Sequence, residues 1–477
     1  MVLFEKCVGD FKRTKFTITG HTIINFCISP FSIWCEYFAP FEAKDPENPY
    51  MRLLFDRGHD HEKNIVEKNY KDATVIAAKS FETGFKIFLE DGKKGAKYFV
   101  HAPLFYLSED IYGITDVLEK DDSHSSVFGD HHYVVKEIKS AKHIKHEYIM
   151  QGAFYNYMLG KIQGYIPKKF FLINRDGEES DYEFEKYEDE LKLALTGIRE
   201  IQKGKIVTPT AKSCRWPWES YCNSKAKDAG DVSILPSVGP AVKKKLNDAG
   251  IFTIHELLEK PVVIDIPEGT FEKIKTFAKA WVTKTPVVLQ KPKFEKSDVD
   301  LFVDFEGTDD MQTEEGIVKV NYLIGLLVSE KERVHFRPFV AENLNDEGRM
   351  FHDFLAYMKQ YPDAPIYHYG PYEKTHFAAL GQKYKVNMKP IVDRMVDVLS
   401  VLKKSVAMPV MSNSLKEVGK MLGYNWRGMA SAQESIVLYF QFLESKEREI
   451  LQRIIDYNED DVRATKVVKD YLVGFTR

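Results

Sequence analysis

Two sets of acidic residues lie at opposite ends of the chain, each spaced to grip a divalent cation. The first is Asp116 in Gly113-Ile-Thr-Asp116 and Glu137 in Glu137-Ile-Lys139, followed by Gln151 and Tyr155. The second is Asp304-Phe-Glu306, joined far downstream by Tyr457 and Asp461 in Tyr457-Asn-Glu-Asp-Asp461. Hard carboxylate oxygens suit Mg²⁺ or Mn²⁺. A cation so held polarises phosphoryl oxygens and makes hydroxide at neutral pH. Lys139, beside Glu137, can position the attacking water. The chemistry such sets serve is phosphodiester hydrolysis.

The elements that must carry these residues are legible from periodicity. Tyr133-Val-Val-Lys-Glu-Ile-Lys139 is rich in β-branched and aromatic residues and predicts a strand. Its period of two places Glu137 and Lys139 on one face. Ile111 to Leu118 predicts a neighbouring strand that brings Asp116 across a hairpin. Gln151 and Tyr155, one turn apart in His146 to Tyr155, share a helix face. Asp300-Leu-Phe-Val-Asp-Phe-Glu306-Gly307 predicts a strand with Asp304 and Glu306 on one side. Strands are expected again at 318–328 and 333–337. From Glu449 to Leu472, Ile450, Ile454, Tyr457, Asp461, Val468 and Leu472 fall within one arc at 100° per residue. An ionisable Asp461 on that apolar stripe is an anomaly that metal ligation with Asp304 and Glu306 explains.

The 477-residue chain has room for two or three domains. It is 44% hydrophobic and 29% charged, as in an ordinary soluble globular protein. No apolar run reaches membrane-spanning length and the N-terminus lacks a secretory pattern. Five cysteines between Cys7 and Cys222 make no disulfide framework, so a reducing cytoplasm fits best. The net charge of −4 does not by itself mark a nucleic-acid binder, although bound cations would reverse the local field. Composition divides the chain into residues 1–225, a short helical unit at 226–285, and a final domain at 296–477. A Lys/Pro-rich link from Thr283 to Phe294 precedes the last.

The order Gly113-x-x-Asp116, Glu137-x-Lys139, Gln151-x-x-x-Tyr155 resembles the RecB-like branch of the PD-(D/E)xK nucleases. In that branch an early histidine follows a glycine. Gly58-His-Asp-His61 supplies it, with His61 the matching metal ligand. Asp304-x-Glu306 with Tyr457-x-x-x-Asp461 resembles the DEDDy branch of RNase H-like 3′–5′ exonucleases. That branch also needs a middle acid. Glu373, at the corner Ile366-Tyr-His-Tyr-Gly-Pro-Tyr-Glu373, is the matching position, and Asp397 competes with it. The implied fold class is α/β: a restriction-endonuclease-like domain plus an RNase H-like domain.

Between them, Ile234-Leu-Pro-Ser-Val-Gly239-Pro and Ala249-Gly250-Ile look like a helix-hairpin-helix unit. Gly239 and Lys243 would receive a backbone phosphate, and Leu246, Ile251 and Leu257 would form its small core. Ser237 replaces the usual first glycine. Many RecB-like members hold an iron–sulfur cluster on four cysteines. Cys35, Cys214 and Cys222 fall at three such places, with Pro217 where another cysteine is expected.

The resemblances imply a metal-dependent nuclease acting on DNA rather than RNA, in repair or recombination. Single strands or ends are favoured, because an exonuclease site threads a terminus. In it Lys139, Gln151, Tyr155 and Tyr457 assist catalysis. The departures at Pro217 and Ser237 keep a second reading open: a nucleic-acid binding scaffold in which one or both sites are degenerate.

Overall fold

The computed structural model describes residues 7, 14–261, 265–308, 311–313, 316–331, 333–428 and 431–475, without side-chain detail between 309 and 318. Contacts divide the chain into two units, Met1–Glu47 with Arg52–Asp228, and Asn48–Met51 with Ala229–Arg477. No helix of the described residues is long and apolar enough to cross a membrane.

In the first unit, helices α1 (Gly20–Ile28), α2 (Pro30–Phe38) and α3 (Pro49–Asn69) lead to strand β1 (Thr74–Val75) and helix α4 (Phe81–Lys93). Strands β2 (Tyr98–Tyr106), β3 (Ile111–Asp121) and β4 (His132–Ile138) follow, then α5 (His146–Gln163), β5 (Lys169–Ile173), β6 (Glu179–Glu183), α6 (Glu185–Gln202) and α7 (Glu219–Asp228). The six strands make one sheet in sequence order, β2–β3–β4 antiparallel and β4–β5 parallel. A parallel step requires a crossover, and α5 supplies it. Its buried residues outnumber its exposed ones because it lies between the sheet and α1. Phe88, Phe99, Phe128 and Tyr133 meet edge-on in the core.

The second unit opens with short helices α8 (Pro240–Asp248) and α9 (Ile254–Glu259) and the longer α10 (Glu268–Thr283). Leu246, Ile251 and Leu257 are fully buried, as the periodicity requires. The link after α10 is not free-standing. Strand β7 (Val287–Val288) pairs antiparallel with β15 (Val406–Ala407), stitching the helices to the domain that follows. By contacts the helical stretch and the last domain share one unit.

That domain contains β8 (Val299–Gly307), β9 (Met311–Thr313), β10 (Gly316–Val318), β11 (Asn321–Glu330), β12 (Arg333–Val340), α11 (Glu347–Met358), β13 (Ile366–His368), α12 (Tyr372–Lys383), α13 (Lys389–Val392), β14 (Met395–Asp397), α14 (Val398–Ser405), β15, α15 (Leu415–Met421), α16 (Ala432–Ser445) and α17 (Arg448–Gly474). Its five-stranded sheet runs β12-β11-β8-β13-β14, antiparallel up to β8 and parallel beyond it. Alternation along β8 divides the core in two. Leu301, Val303 and Phe305 pack with Phe351 and Phe354 of α11. Phe302 and Leu327 pack with Val468 and Leu472 of α17. The acids of β8 share the second face.

Candidate metal centres

In the first unit, Asp116 on β3 and Glu137 on β4 face each other across an antiparallel pair whose register matches Val117 with Lys136. Each carboxylate is anchored on the opposite strand. The Ile138 N–H donates to Asp116 Oδ2 at 2.7 Å and the Asp116 N–H to Glu137 Oε1 at 3.2 Å. Lys139 Nζ donates to Glu137 Oε2 at 2.9 Å and lies 3.6 Å from Asp116. Burial, then the charge on Asp116, pushes the Glu137 carboxyl up to about 8. Two acids held close in a dry place resist joint ionisation, which a bound cation would relieve.

Tyr155 leans over this pair from α5, with Gln151 Nε2 3.5 Å from its hydroxyl. Burial and the two carboxylates hold the Tyr155 phenol well above its ordinary value. Gly113 makes room for that ring, since a Cβ there would collide with Tyr155. The motif glycine thus has a steric reason.

His61 is buried, with its ring bonded to the Asn174 carbonyl. Its Nε2 has no hydrogen-bond partner. The next residue, Glu62, contributes to the field at Asp116 and Lys139, and it bonds His101 Nε2 at 2.5 Å. His101 occupies the position opposite Asp116 in the β2–β3 register, at a left-handed φ of 58°. Strained backbone of this kind in a non-glycine residue collects at functional sites. Motif matching missed Glu62 and His101; the acid beside His61 was the available signal.

Cys35, Cys214 and Cys222 converge with Phe31 and Trp218 in a small core of their own. Serine hydroxyls fill the remaining polar space: Ser29 Oγ is 3.5 Å from Cys214 Sγ, and Ser213 Oγ is 3.7 Å from Cys222 Sγ. The Cys222 thiol donates to the Thr210 carbonyl at 3.0 Å. Cys7 and Cys27 belong to the main core instead. Three thiols do not make the four-thiolate set that an iron–sulfur cluster requires. The donor set does not fit that cofactor.

Lys243 is also engaged otherwise than expected. Its ammonium sits 2.8 Å from the buried Asp231 carboxylate. Gly239 caps the start of α8 with an open approach to its Cα.

In the second unit the carboxylates of Asp304, Glu306 and Asp461 each offer an oxygen within 4.8 Å of the others. Strand β8 supplies the first two and α17 the third. Burial, then Asp461 and Glu306, hold Asp304 well above the usual carboxylate range. Burial and Asp461 push Glu306 up to about 8. Asp461 rises only to about 6, because burial there is opposed by the Trp426 indole N–H and Lys416. The Trp426 donor lies 2.6 Å from Asp461 Oδ1.

Glu373, at the start of α12, is 3% exposed and hydrogen-bonds Asp304. His368 Nδ1 lies 3.2 Å from its Oε2. Asp397 is committed elsewhere: its Oδ1 accepts the Gly370 and Ser400 N–H groups and caps α14. Tyr457, one turn before Asp461, hydrogen-bonds that carboxylate, and burial raises its phenol far above the ordinary range.

Sequence reasoning missed two supports. Asn458 is fully buried and donates to Asp304 Oδ2 at 2.7 Å. It can do so because Gly325, opposite Asp304 on β11, leaves no side chain beneath it. Asp460, more deeply buried than Asp461, serves packing: it accepts from Tyr424 and Arg427.

Residues 301–473 match the family model of the RNase H superfamily. The C-terminal domain is RNase H-like. The curated proteins include no match to the chain. Domains of this superfamily act on nucleic acid with Mg²⁺ or Mn²⁺, and the acid triad is a donor set of the right kind. A nuclease-type hydrolase activity follows for the RNase H-like domain.

Proposed function

We propose that the chain is a divalent-metal-dependent nuclease whose RNase H-like domain removes nucleotides from 3′ ends, DNA being the favoured substrate. The observation that carries this reading is the convergence of Asp304, Glu306 and Asp461 from residues over 150 positions apart in sequence. Those three with Glu373 would bind two cations, which supply a hydroxide nucleophile and shield charge on the departing 3′-oxygen. Tyr457 would orient the attacking water. Asn458 holds Asp304 in its rotamer, and Trp426 does the same for Asp461.

The first unit would carry a second, RecB-like site. Asp116 and Glu137 would bind one cation, with His61 offering Nε2 and Glu62 flanking the pair. Lys139 would move from its ion pairs to steady the nucleophile, and Gln151 and Tyr155 would position substrate. The stretch α8–α9 is proposed as a helix-hairpin-helix contact to the phosphate backbone through the Gly239 turn. A cytoplasmic role in DNA repair or recombination suits these activities.

The test uses DNA and RNA labelled at either end, single- and double-stranded, with Mg²⁺ or Mn²⁺. Asp304→Ala should abolish stepwise 3′ shortening, and Asp116→Ala should abolish a different set of products. Cleavage that persists in the double variant removes the assignment of both sites. A folded, metal-binding wild-type protein that binds DNA without cutting it would favour the scaffold reading.

A further inference from the structure

A cavity of about 270 Å³ opens beside the acid triad, lined by Ser414, Lys416, Ser431, Tyr457 and Asp461 among the described residues. Two of the residues given chemical roles above, Tyr457 and Asp461, form one wall. Lys416 reaches the cavity from the first turn of α15. Its ammonium lies 4.6 Å from the centre of the Tyr457 ring, a cation–π contact that fixes it over the proposed water-orienting group. Burial lowers the Lys416 pKa against the pull of Asp461, Glu306 and Glu434, and Lys420 repels it from the same helix.

Charge balance shows what a lysine there can do. Asp304, Glu306, Glu373 and Asp461 carry four negative charges when ionised, which two divalent cations balance with nothing left over. A phosphodiester adds one negative charge, and more collects on its oxygens as the nucleophile arrives. Lys416 brings a positive charge to the described lining of the cavity, where that phosphate would sit. A fixed positive group aimed at developing charge is a strong source of catalysis.

We propose that Lys416 is a catalytic residue of the RNase H-like site, contacting a non-bridging oxygen of the scissile phosphate, and that the cavity seats the 3′-terminal nucleotide. This deepens the exonuclease reading and rests on it for the reaction, but not for the binding contact. The released nucleotide keeps that phosphate at its 5′ position, so the product itself reports the contact. A lysine serving only to balance Asp461 would leave nucleotide affinity untouched once a cation is bound.

The experiment uses the full chain with Asp116→Ala to silence the first unit. Mn²⁺ and then deoxyadenosine 5′-monophosphate are titrated calorimetrically into this parent and into Lys416→Met and Lys416→Arg versions. Lys416→Gln replaces the methionine variant if that one does not fold. The expected result is Mn²⁺ affinity within about threefold of the parent, and nucleotide affinity at least about tenfold weaker in the methionine variant. Arginine should restore most of that loss. On 3′-ended oligonucleotides kcat should fall about 10²- to 10³-fold with a smaller change in KM. Unchanged nucleotide affinity in Lys416→Met, or a parent that binds Mn²⁺ but no nucleotide, overturns the proposal. A parent that binds nucleotide through Lys416 yet cleaves nothing defeats the exonuclease reading and leaves the contact standing. Failure of the parent to bind Mn²⁺ defeats both.

Discussion

Replacing Gly325 with alanine should damage the RNase H-like site without touching a single carboxylate. A Cβ at this position would stand 2.8 Å from Asn458 Cγ and 3.0 Å from a Phe336 ring carbon, closer still to Asn458 Oδ1. Ordinary contact begins near 3.4 Å, so the amide must withdraw by about 0.6 Å or more from the sheet. Asn458 is fully buried within α17, so it has nowhere to go without loosening the helix from β8 and β11. Overpacking of this kind costs about 1–3 kcal/mol. The 2.7 Å hydrogen bond to the Asp304 carboxylate would stretch or break, costing about 1.5–3 kcal/mol where a charged partner is involved. Together these amount to about 2.5–6 kcal/mol, against a typical total stability of about 5–15 kcal/mol. For a domain of this size the melting temperature should fall by about 5–24 °C. Mn²⁺ affinity should weaken about tenfold, as when a ligand loses its supporting hydrogen bond. Calorimetric melting of the second unit with and without Mn²⁺ measures both effects. Adding Asn458→Ala should recover packing but not metal affinity, with a coupling of about 1–3 kcal/mol between the positions. If Gly325→Ala melts within about 2 °C of wild type and binds Mn²⁺ normally, the account of how Asp304 is held is wrong.

Other perturbations separate chemistry from scaffolding. Glu306 is raised from 4.5 to about 8 and Asp461 from 3.8 to about 6. In the metal-free protein these groups keep protons that the unfolded chain has released. Their contribution to stability is therefore full below about pH 4 and drains away as pH rises toward 8. Melts from pH 5 to 8 should show this decline, with Mn²⁺ reversing it increasingly at the upper end; a flat metal-free profile would count against the coupled acids. Glu373→Gln should abolish 3′ shortening with little change in melting. Asp397→Ala should cost about 1 kcal/mol by uncapping α14 and leave metal binding in place. Exchanged outcomes would make Asp397 the middle acid. Lys243→Ala should destabilise by about 3–5 kcal/mol, because it strands a buried carboxylate at Asp231. It should leave the salt dependence of DNA binding unchanged; a shallower slope would restore Lys243 as a phosphate contact.

The acids themselves were readable from sequence because strand and helix periodicities are rigid. Asp-x-Glu on a strand must present both groups to one side, and Tyr-x-x-x-Asp on a helix must stack them. Asp461 stood out as a charge on an apolar stripe, and the fold brings it to Asp304. The supports were not readable. Asn458 and Gly325 look like an ordinary polar residue and an ordinary strand glycine, and only the docking of α17 on β11 gives them meaning. Glu373 and Asp397 differ in partners that periodicity cannot supply: Asp304 and His368 for the first, two backbone amides for the second. The Lys243 ion pair with Asp231 was not readable either, because nothing in the spacing links the two residues. Lys416 offered no motif at all, since its significance lies in the Tyr457 ring beneath it.

The 27-residue helix α17 carries Tyr457, Asn458 and Asp461 together, while their counterparts stand on β8. Detaching that helix would therefore remove one acid of the triad, the brace on another and the Tyr457 phenol in one event, even with every strand still paired. An RNase H-like domain assembled this way would lose its acid set early under heat or denaturant. Loss of cutting would precede loss of the sheet, so misfolded copies would be harmless to the polymer they otherwise degrade.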